Sequence, residues 1–293
     1  MPTLHLIDAS PYIFRAYFAI PATLRTPAGA ACNAVYGYTA FLLDLLKRAQ
    51  PSHLAVAFDG SLTTSFRNDI YPAYKAQRAL PPPDLEAQLE ACREITAALG
   101  MRTFLDDRFE ADDLIGTIIH KLRRASGEFV IVSGDKDLAQ LVGPRVTLWD
   151  FAKNRRWNEK GVKQHFGVPP RQMVDWLALM GDAVDNIPGV RGIGAKTAAA
   201  LLAKFHDLDE LYARLEAVAT MKLRGAAAIR ARLEQDRARA MLSRQLATIA
   251  TQAPLRVNWR MLKYTGADRG KVEALFDRLG FGRIRERIPR WQK

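Results

Sequence analysis

Short apolar runs alternate with amphipathic stretches through the first half of the chain. Five of these runs predict strands, at residues 4–7, 54–58, 101–105, 129–132 and 146–149. Buried parallel strands are nearly continuous in apolar residues, and helices connect them across the faces of the sheet. The pattern therefore predicts an α/β fold whose central sheet is mostly parallel, with flanking helices.

A helix and a long excursion are predicted between the second and third strands. Three prolines precede Asp84, the expected N-cap, and apolar residues keep helical spacing over residues 85–99 until Gly100 ends the helix. Residues 63–83 lack a clear period and are rich in aromatic and basic side chains. We expect them to form a long mobile excursion, and loops of this length are commonly functional.

The strand pattern fades after Trp149, and the pair Pro169-Pro170 marks the expected domain boundary. This boundary divides the chain into an N-terminal α/β domain, residues 1–168, and a C-terminal helical domain, residues 169–293. The helical domain contains a glycine cluster at residues 189–194, followed by an alanine-rich stretch that suits a helix.

The net charge of +12 is confined to the last third of the chain. Residues 1–185 hold 21 basic and 21 acidic side chains, whereas residues 186–293 hold 22 and 10. A basic segment joined to a neutral one favours binding to a polyanion, with nucleic acid ahead of an acidic membrane surface. A solvated basic surface is the plain alternative.

Two further classes of protein find no support in the composition. No apolar run approaches the ~20 residues that a membrane span needs, so no membrane association is expected. Cys32 and Cys92 lie far apart, with no cluster of cysteine or histidine around either one. Neither a disulfide framework nor a zinc site is therefore indicated.

Acidic residues follow four of the predicted strands. In an open parallel sheet, ligands bind at the edge where the carboxyl ends of the strands meet, so these side chains should converge there. Two more acids stand three residues apart after the boundary, a spacing that places them on one face of a helical turn. The nine acids are Asp8, Asp59, Glu110, Asp112, Asp113, Asp135, Asp137, Asp182 and Asp185.

Taken singly, several of these acids have a structural explanation. An acid at the start of a helix often caps it or complements its dipole, as Asp8, Glu110, Asp112 or Asp135 could do. So many carboxylates in one place cannot all stay ionised without cations, and hard divalent metals prefer oxygen ligands. Two such ions, about 4 Å apart, recur in enzymes that hydrolyse phosphodiesters. The cluster therefore predicts a metal-dependent nuclease.

Other chemistries fit less well. The five histidines lack a zinc-protease spacing, and no Gly-x-Ser-x-Gly elbow occurs. The glycine cluster misses a Walker A loop because Ala195 separates Gly194 from Lys196. It misses the dinucleotide fingerprint because Thr197 stands in place of the third glycine. A phosphate-binding turn, aided by Lys196 and a helix N-terminus, and a plain connection between helices both fit this cluster.

The ordered motifs resemble those of the 5′–3′ exonuclease and flap endonuclease family, above all the N-terminal nuclease domain of bacterial DNA polymerase I and its free-standing relatives. The resemblance spans about residues 4–281. It rests on Leu6-Ile-Asp-Ala-Ser10, Ala34-Val-Tyr-Gly37, Phe58-Asp-Gly60, Ser65-Phe-Arg67, Tyr74-Lys-Ala76 with Arg78, Glu110-Ala-Asp-Asp113, Gly134-Asp-Lys-Asp137, Gly181-Asp-Ala-Val-Asp-Asn-Ile-Pro-Gly189 and Gly192-Ile-Gly-Ala-Lys-Thr197.

The resemblance implies a PIN-like nuclease in which the nine acids are the metal ligands and none is missing. Residues 63–95 or so would form a helical arch, where Lys75 and Arg78 contact the scissile phosphate and Tyr74 stacks on a base. A glycine-rich helix-turn-helix would bind the duplex backbone and hold potassium through backbone carbonyls. The residues expected to contact DNA are Arg67, Gly189, Arg191, Gly192, Gly194, Lys196 and Thr197.

The expected activity is Mg²⁺- or Mn²⁺-dependent hydrolysis of DNA at 5′ ends, flaps and junctions, directed by structure more than by sequence. A non-catalytic DNA-binding module and a PIN-like RNase stay open as alternatives. We expect a monomeric, cytoplasmic and nucleoid-associated protein of DNA replication and repair, with flap DNA, RNA-containing 5′ strands and a DNA polymerase as partners. The first strand follows Met1 closely, which favours a free-standing nuclease over an excised polymerase domain.

Overall fold

A six-stranded sheet lies at the centre of the computed structural model, which describes residues 1–61 and 63–292. The strands are β1 (Thr3–Asp8), β2 (His53–Asp59), β3 (Arg102–Asp106), β4 (Glu128–Val132), β5 (Val146–Asp150) and β6 (Arg155–Trp157). Their order is β3-β2-β1-β4-β5-β6, with β1 to β5 parallel and β6 antiparallel to β5. The predicted fold class is confirmed. β6 escaped prediction because two arginines interrupt any apolar run there.

Helices connect the strands and build the rest of the chain. They are α1 (Ser10–Ala19), α2 (Asn33–Ala49), α3 (Phe66–Ile70), α4 (Pro83–Ala98), α5 (Ala111–Leu122), α6 (Glu159–Phe166), α7 (Met173–Met180), α8 (Ala195–Phe205), α9 (Leu208–Ala213), α10 (Ala226–Gln235), α11 (Arg237–Ala247) and α12 (Arg269–Leu279). Across the described part of the chain, none of them is long and apolar enough to cross a membrane.

Two hydrophobic cores cover the faces of the sheet, because successive strand residues point to opposite sides. Leu4 and Leu6 belong to the core that also contains α5, α7 and the helices α8 to α11. Ile7 and Val56 belong to the other core, with α1, α2 and α4. Fully burying an aliphatic side chain of this kind contributes about 2 kcal/mol. The sheet is thus held from both sides, which fixes the strand ends.

The last part of the chain returns to the N-terminal part. Tyr264 donates its backbone N–H to the carbonyl of Ser52 over 2.9 Å, and α12 lies in the same core as α2 and α4. The predicted division at residues 168 and 169 stays a prediction. Within the predicted helical domain, the residues from about 264 to 292 pack against the sheet, and Lys293 lies outside the described residues.

The segment between β2 and β3 differs from the prediction in detail. The helix begins at Pro83, with Pro82 as its N-cap, so that Asp84 lies in the first turn and is not the cap. Gly100 follows the helix with a φ of +80°, a conformation that glycine adopts at little cost. The predicted excursion contains α3, which Ser65 caps by accepting the N–H of Arg67. A series of turns then leads to α4.

Candidate active site

The carboxyl ends of the parallel strands bring most of the predicted acids together. Asp8 and Asp59 are the last residues of β1 and β2. A cavity of about 420 Å³ at this edge is lined by the acids Asp8, Asp59, Glu110, Asp112, Asp135 and Asp185. An adjoining cavity of about 390 Å³ is lined by the acids Asp135, Asp137, Asp182 and Asp185. Eight of the nine predicted acids therefore line two neighbouring cavities.

Short hydrogen bonds from neighbouring residues orient the carboxylates at the strand ends. Ser133 donates its hydroxyl to Asp8 over 2.8 Å, and Ser10 donates to Asp59 over 2.6 Å. The backbone N–H of Ala111, at the start of α5, donates to the other oxygen of Asp59 over 2.9 Å. Ser10 was part of a quoted motif and Ser133 was not, and the sequence did not show that either serine holds an acid in place.

The pair Asp182 and Asp185 sits on a turn and not on a helix. Asp182 and Ile187 exchange backbone hydrogen bonds of 2.9 and 2.8 Å, which closes the loop between them. The prediction of one helical face was therefore wrong in its local structure. Both side chains nevertheless line the smaller cavity, because the loop folds back toward the end of β4.

Burial and mutual repulsion disfavour charge on several of these acids. Burial, then the carboxylates of Asp59 and Asp135, raises the pKa of Asp8 well above its ordinary value. Burial, with nearby carboxylates, likewise raises the pKa of Asp112 and of Asp137. These acids can all be ionised together only if cations enter the cavities.

Three basic side chains lie among the acids. Lys75 places its ammonium 2.6 Å from Glu110 Oε2 and 3.6 Å from Asp185 Oδ2. Arg78 hydrogen bonds to Asp185, and Lys136 hydrogen bonds to Asp182. Burial would raise the pKa of Glu110, but the charges of Lys75 and Arg67 outweigh it and hold that pKa below its ordinary value. The basic groups thus neutralise part of the acidic cluster.

The donor set fits a hard divalent cation. Within residues 1–61 and 63–292, no three His, Cys, Asp or Glu side chains are arranged to hold a metal ion as they stand. The basic groups pair with carboxylates that would otherwise be free to serve as ligands. Asp137 is 7% exposed, and its Oδ1 accepts no hydrogen bond from any of the described residues. A buried carboxylate oxygen without a donor, among other carboxylates, is the chemistry that Mg²⁺ or Mn²⁺ satisfies.

The ninth acid, Asp113, points away from these cavities. It is fully buried and binds the Arg67 guanidinium through two hydrogen bonds of 2.7 and 2.8 Å. Arg67 is 3% exposed and also donates to the carbonyls of Leu246 and Thr248, at the end of α11. The expected metal role of Asp113 and the expected DNA contact of Arg67 do not match these positions. The pair instead ties α3, α5 and α11 together.

The helix-start explanation holds for part of this motif. Glu110 is the N-cap of α5 and accepts the N–H of Asp113, whose carboxylate accepts the N–H of Glu110 over 3.1 Å. This reciprocal arrangement is a capping box. Glu110 also lines the larger cavity, so it serves both the helix and the site.

Tyr74 is enclosed and cannot stack on a base in this structure. It is 3% exposed, and its hydroxyl donates to Glu110 and Asp185 over 3.2 and 3.3 Å. Two aromatic residues that the sequence interpretation missed, Phe14 and Phe18, line the larger cavity, and Phe18 is 78% exposed. Their signal was apolar side chains one turn apart on α1.

The glycine cluster forms a tight turn between α7 and α8. Gly189 has a φ of +58°, and a Cβ there would lie 2.4 Å from the backbone nitrogen of Gly181. Gly192, with a φ of +74°, lies against the Arg232 guanidinium. Gly194 is the N-cap of α8, and Lys196 and Thr197 lie in the first turn of that helix.

Arg191 is engaged within the protein. Its guanidinium and its backbone N–H both bind Asp236, with a shortest distance of 2.7 Å. Hydrogen bonds from Arg191 lower the pKa of Asp236 to about 2. In this structure Arg191 therefore binds Asp236 within the protein, and the expected contact between Arg191 and a DNA phosphate stays a prediction. Asp236 escaped prediction because it lies 45 residues away in sequence.

Two family models match the chain one after the other. The 5′–3′ exonuclease N-terminal resolvase-like domain matches residues 3–167, and the 5′–3′ exonuclease C-terminal SAM fold matches residues 168–270. The chain belongs to the 5′–3′ exonuclease family, a family of nucleases, as the resemblance of its motifs predicted.

Relatives and solved structures agree with this family. The chain is 39% identical over 290 residues to DNA polymerase I of Bacillus caldotenax, and the matched region covers 97% of this chain and 32% of that protein. It is 42% identical over 279 residues to DNA polymerase I of Pseudomonas aeruginosa, covering 95% and 30%. The chain thus spans about a third of the length of these relatives.

Two solved structures share the fold. The T5 5′-exonuclease with bound zinc ions superimposes with a TM-score of 0.67 at 22% identity, covering 85% of this chain and 90% of that one. The catalytic core of Rad2 in complex with DNA substrate gives a TM-score of 0.63 at 15% identity, covering 97% and 90%.

Proposed function

We propose that the chain is a structure-specific 5′ nuclease that hydrolyses DNA at 5′ ends, flaps and junctions with two divalent ions, Mg²⁺ or Mn²⁺. The observation that carries the proposal is the set of eight carboxylates in two adjoining cavities at one sheet edge. The family match and the metal-bound and DNA-bound structures of the same fold support it.

Each cavity supplies oxygen ligands for one ion. In the larger cavity, Asp8, Asp59, Glu110 and Asp112 would hold an ion, and in the smaller one Asp137 and Asp182 would do so. Asp135 and Asp185 line both cavities and would be shared. Bound divalent ions supply an activated water and stabilise the charge that develops on the phosphoryl oxygens.

When substrate binds, Lys75 and Arg78 would exchange their carboxylate partners for the substrate phosphate. Lys75 has a φ of +55° and donates its backbone N–H to the carbonyl of Asp185 over 3.0 Å. Asn186 donates to the carbonyl of Ala73 over 2.7 Å, so this part of the arch is fixed to the loop that carries Asp182 and Asp185. The two basic groups are therefore held at the cavity independently of their ion pairs.

The turn before α8 would hold the duplex. A Cβ at Gly194 would meet no atom of residues 1–61 and 63–292 within 4 Å, and the φ of −99° at this position does not require glycine. A glycine that neither packing nor the backbone requires is consistent with close approach of a DNA phosphate to the N-terminus of α8. Lys196, two residues further on, would supply the positive charge.

Potassium at the glycine-rich turn stays a prediction. The guanidinium of Arg239 donates to the carbonyls of Pro188 and Gly189 over 3.1 and 3.3 Å. These two oxygens of the turn are therefore engaged, and the predicted cation would bind other carbonyl oxygens of the turn. The proposal also includes two kinds of partner. One is a DNA polymerase, either as a separate protein or as the rest of a longer chain, and the other is a 5′ strand that contains RNA. The cleavage of DNA would take place at the nucleoid.

The test is cleavage of a labelled 5′-flap duplex with Mg²⁺, with Mn²⁺ and with EDTA. We expect metal-dependent products that carry a 5′ phosphate, and faster cleavage of the flap than of a blunt duplex. Asp135→Ala should remove the activity. The matched control is Asp106→Asn, because Asp106 ends β3 at the same edge but caps the following turn, accepting the N–H groups of Arg108 and Phe109.

The same assay separates the alternatives. DNA binding without metal-dependent cleavage would indicate a binding module and overturn the proposal. Faster cleavage of an all-RNA flap than of the DNA flap would favour the PIN-like RNase.

A further inference from the structure

Lys136 stands inside the acidic cluster without a role in the mechanism proposed above. It lies between Asp135 and Asp137 in the loop after β4 and lines the smaller cavity. Its ammonium is 2.5 Å from Asp182 Oδ2 and 3.8 Å from Asp137 Oδ1. The two carboxylates closest to this ammonium are the acids that line the smaller cavity alone.

The side chain of Asp137 has an unmet demand for positive charge. Its Oδ1 is buried and, within the described part of the chain, accepts no hydrogen bond; Lys136 approaches this oxygen without reaching bonding distance. The Asp182 side chain, 7% exposed, accepts a short hydrogen bond from the Lys136 ammonium. The single ammonium therefore lies near two buried carboxylates but donates a hydrogen bond to Asp182 and not to Asp137.

The backbone and the side chain of Lys136 are held very differently. The backbone on either side is fixed, since Asp137 donates its N–H to Asp135 over 2.9 Å and Asp135 donates its N–H to Ser133 over 3.0 Å. The ammonium, in contrast, has its one hydrogen bond to Asp182, and 31% of the side chain is exposed. The side chain can therefore leave toward solvent without disturbing the acids on either side of it.

From this geometry we infer that Lys136 is a built-in cation that competes with the divalent ion for Asp137 and Asp182. In the metal-free protein it offsets the repulsion between these carboxylates, and it swings out when an ion enters the smaller cavity. Lys136 thus sets the affinity of the second metal and makes this site fill after the first. The inference rests on the proposed function, because it concerns the same metal cluster.

The effect of the Lys136 ammonium on metal affinity follows from the contact that ion entry breaks. Ion entry breaks the hydrogen bond between the Lys136 ammonium and Asp182, and a hydrogen bond between charged groups is stronger than one between neutral groups. Removal of the ammonium should therefore tighten binding of the weaker Mn²⁺ ion by about tenfold or more, since about 1.4 kcal/mol corresponds to a factor of ten. An arginine at this position keeps the charge and should keep the wild-type affinity approximately.

Mn²⁺ binding to the full chain, without DNA, tests the inference. Free Mn²⁺ is measured by electron paramagnetic resonance during a titration of the wild type, Lys136→Met and Lys136→Arg. Lys153→Met is the matched control, because Lys153 also pairs with a buried aspartate, Asp150, at the end of the neighbouring strand β5, but lies outside both cavities. We expect two classes of site in the wild type, tighter binding of the weaker ion in Lys136→Met, and wild-type values in the other two variants.

A thermal melt in EDTA gives a second readout. Lys136→Met should melt below the wild type without metal and recover with Mn²⁺, because the ion replaces the missing ammonium. Unchanged or weaker Mn²⁺ binding in the folded Lys136→Met variant overturns the inference. That result would leave the proposed function intact if the wild type cleaves flap DNA. A wild type that binds no Mn²⁺ would overturn both the inference about Lys136 and the proposed function.

Discussion

Asp112 and Asp113 are neighbours in sequence, yet the structure gives their carboxylates opposite surroundings. Asp112 lines the larger cavity, where burial and the charges of Asp135 and Asp8 raise its pKa. Asp113 is enclosed with Arg67 and also accepts the backbone N–H of Ala250 over 2.8 Å. The same change, aspartate to asparagine, should therefore have opposite effects at the two positions.

Asp113→Asn leaves the guanidinium of Arg67 buried without its nearest counter-charge, with only the carboxylate of Glu110 at 3.9 Å. Breaking a buried ion pair by removing one partner costs about 3–5 kcal/mol. With a shift of about 2–4 °C per kcal/mol for a protein of this size class, the melting temperature should fall by on the order of 10 °C. Metal binding should persist in the folded fraction, because Asp113 lines neither cavity.

Asp112→Asn should instead stabilise the metal-free protein, because it removes one of several carboxylates that repel each other. The same variant should bind Mn²⁺ more weakly, since a ligand is lost. Urea unfolding in EDTA, followed by tryptophan fluorescence, gives the change in unfolding free energy, and calorimetric titration gives the Mn²⁺ affinity. Both variants are measured in one buffer.

The opposite assignment of stability and metal binding to the two acids would contradict these roles. If Asp113→Asn unfolds at the wild-type urea concentration but loses a bound Mn²⁺ ion, then Asp113 is a metal ligand, as the family resemblance implied. A loss of stability in both variants, with Mn²⁺ affinity unchanged in both, would mean that Asp112 is not a metal ligand and that the larger cavity does not bind the ion as proposed.

Three further outcomes are expected. Asp135→Ala should abolish cleavage and spare binding to flap DNA, which a gel-shift assay measures; retained turnover would place the site elsewhere. Lys196→Ala should weaken DNA binding and reduce the slope of log affinity against log salt by about one, whereas Lys271→Ala, on α12, should leave the slope unchanged. Because burial raises the pKa of Asp8 and Asp137 in the folded state, these two groups hold more protons there than in the unfolded chain above pH 3.8, and their contribution should make the metal-free protein lose stability as the pH rises toward neutrality. Melting curves in EDTA check this trend, and Mg²⁺ should reduce it; a metal-free protein that gains stability over the same range would contradict it.

The sequence by itself determined the sheet and the position of its acids. The five parallel strands and the helix that ends before Gly100 are local features, because the period of apolar residues records burial along one element. Acids at strand ends could be assigned to one edge because parallel strands share their direction. This rule placed Asp8, Asp59 and Asp135 correctly without any knowledge of their contacts.

Only the tertiary structure decided which charges meet. Arg67 and Asp113 are 46 residues apart, and no local pattern shows that they form a buried pair or that Arg67 also binds the end of α11. In the same way, Lys136 faces a loop 46 residues further along the chain, and its motif did not indicate the competition for Asp182. A strand or a helix end depends on neighbours in sequence, whereas the partner of a buried charge depends on which distant segments the packing brings within hydrogen-bond distance.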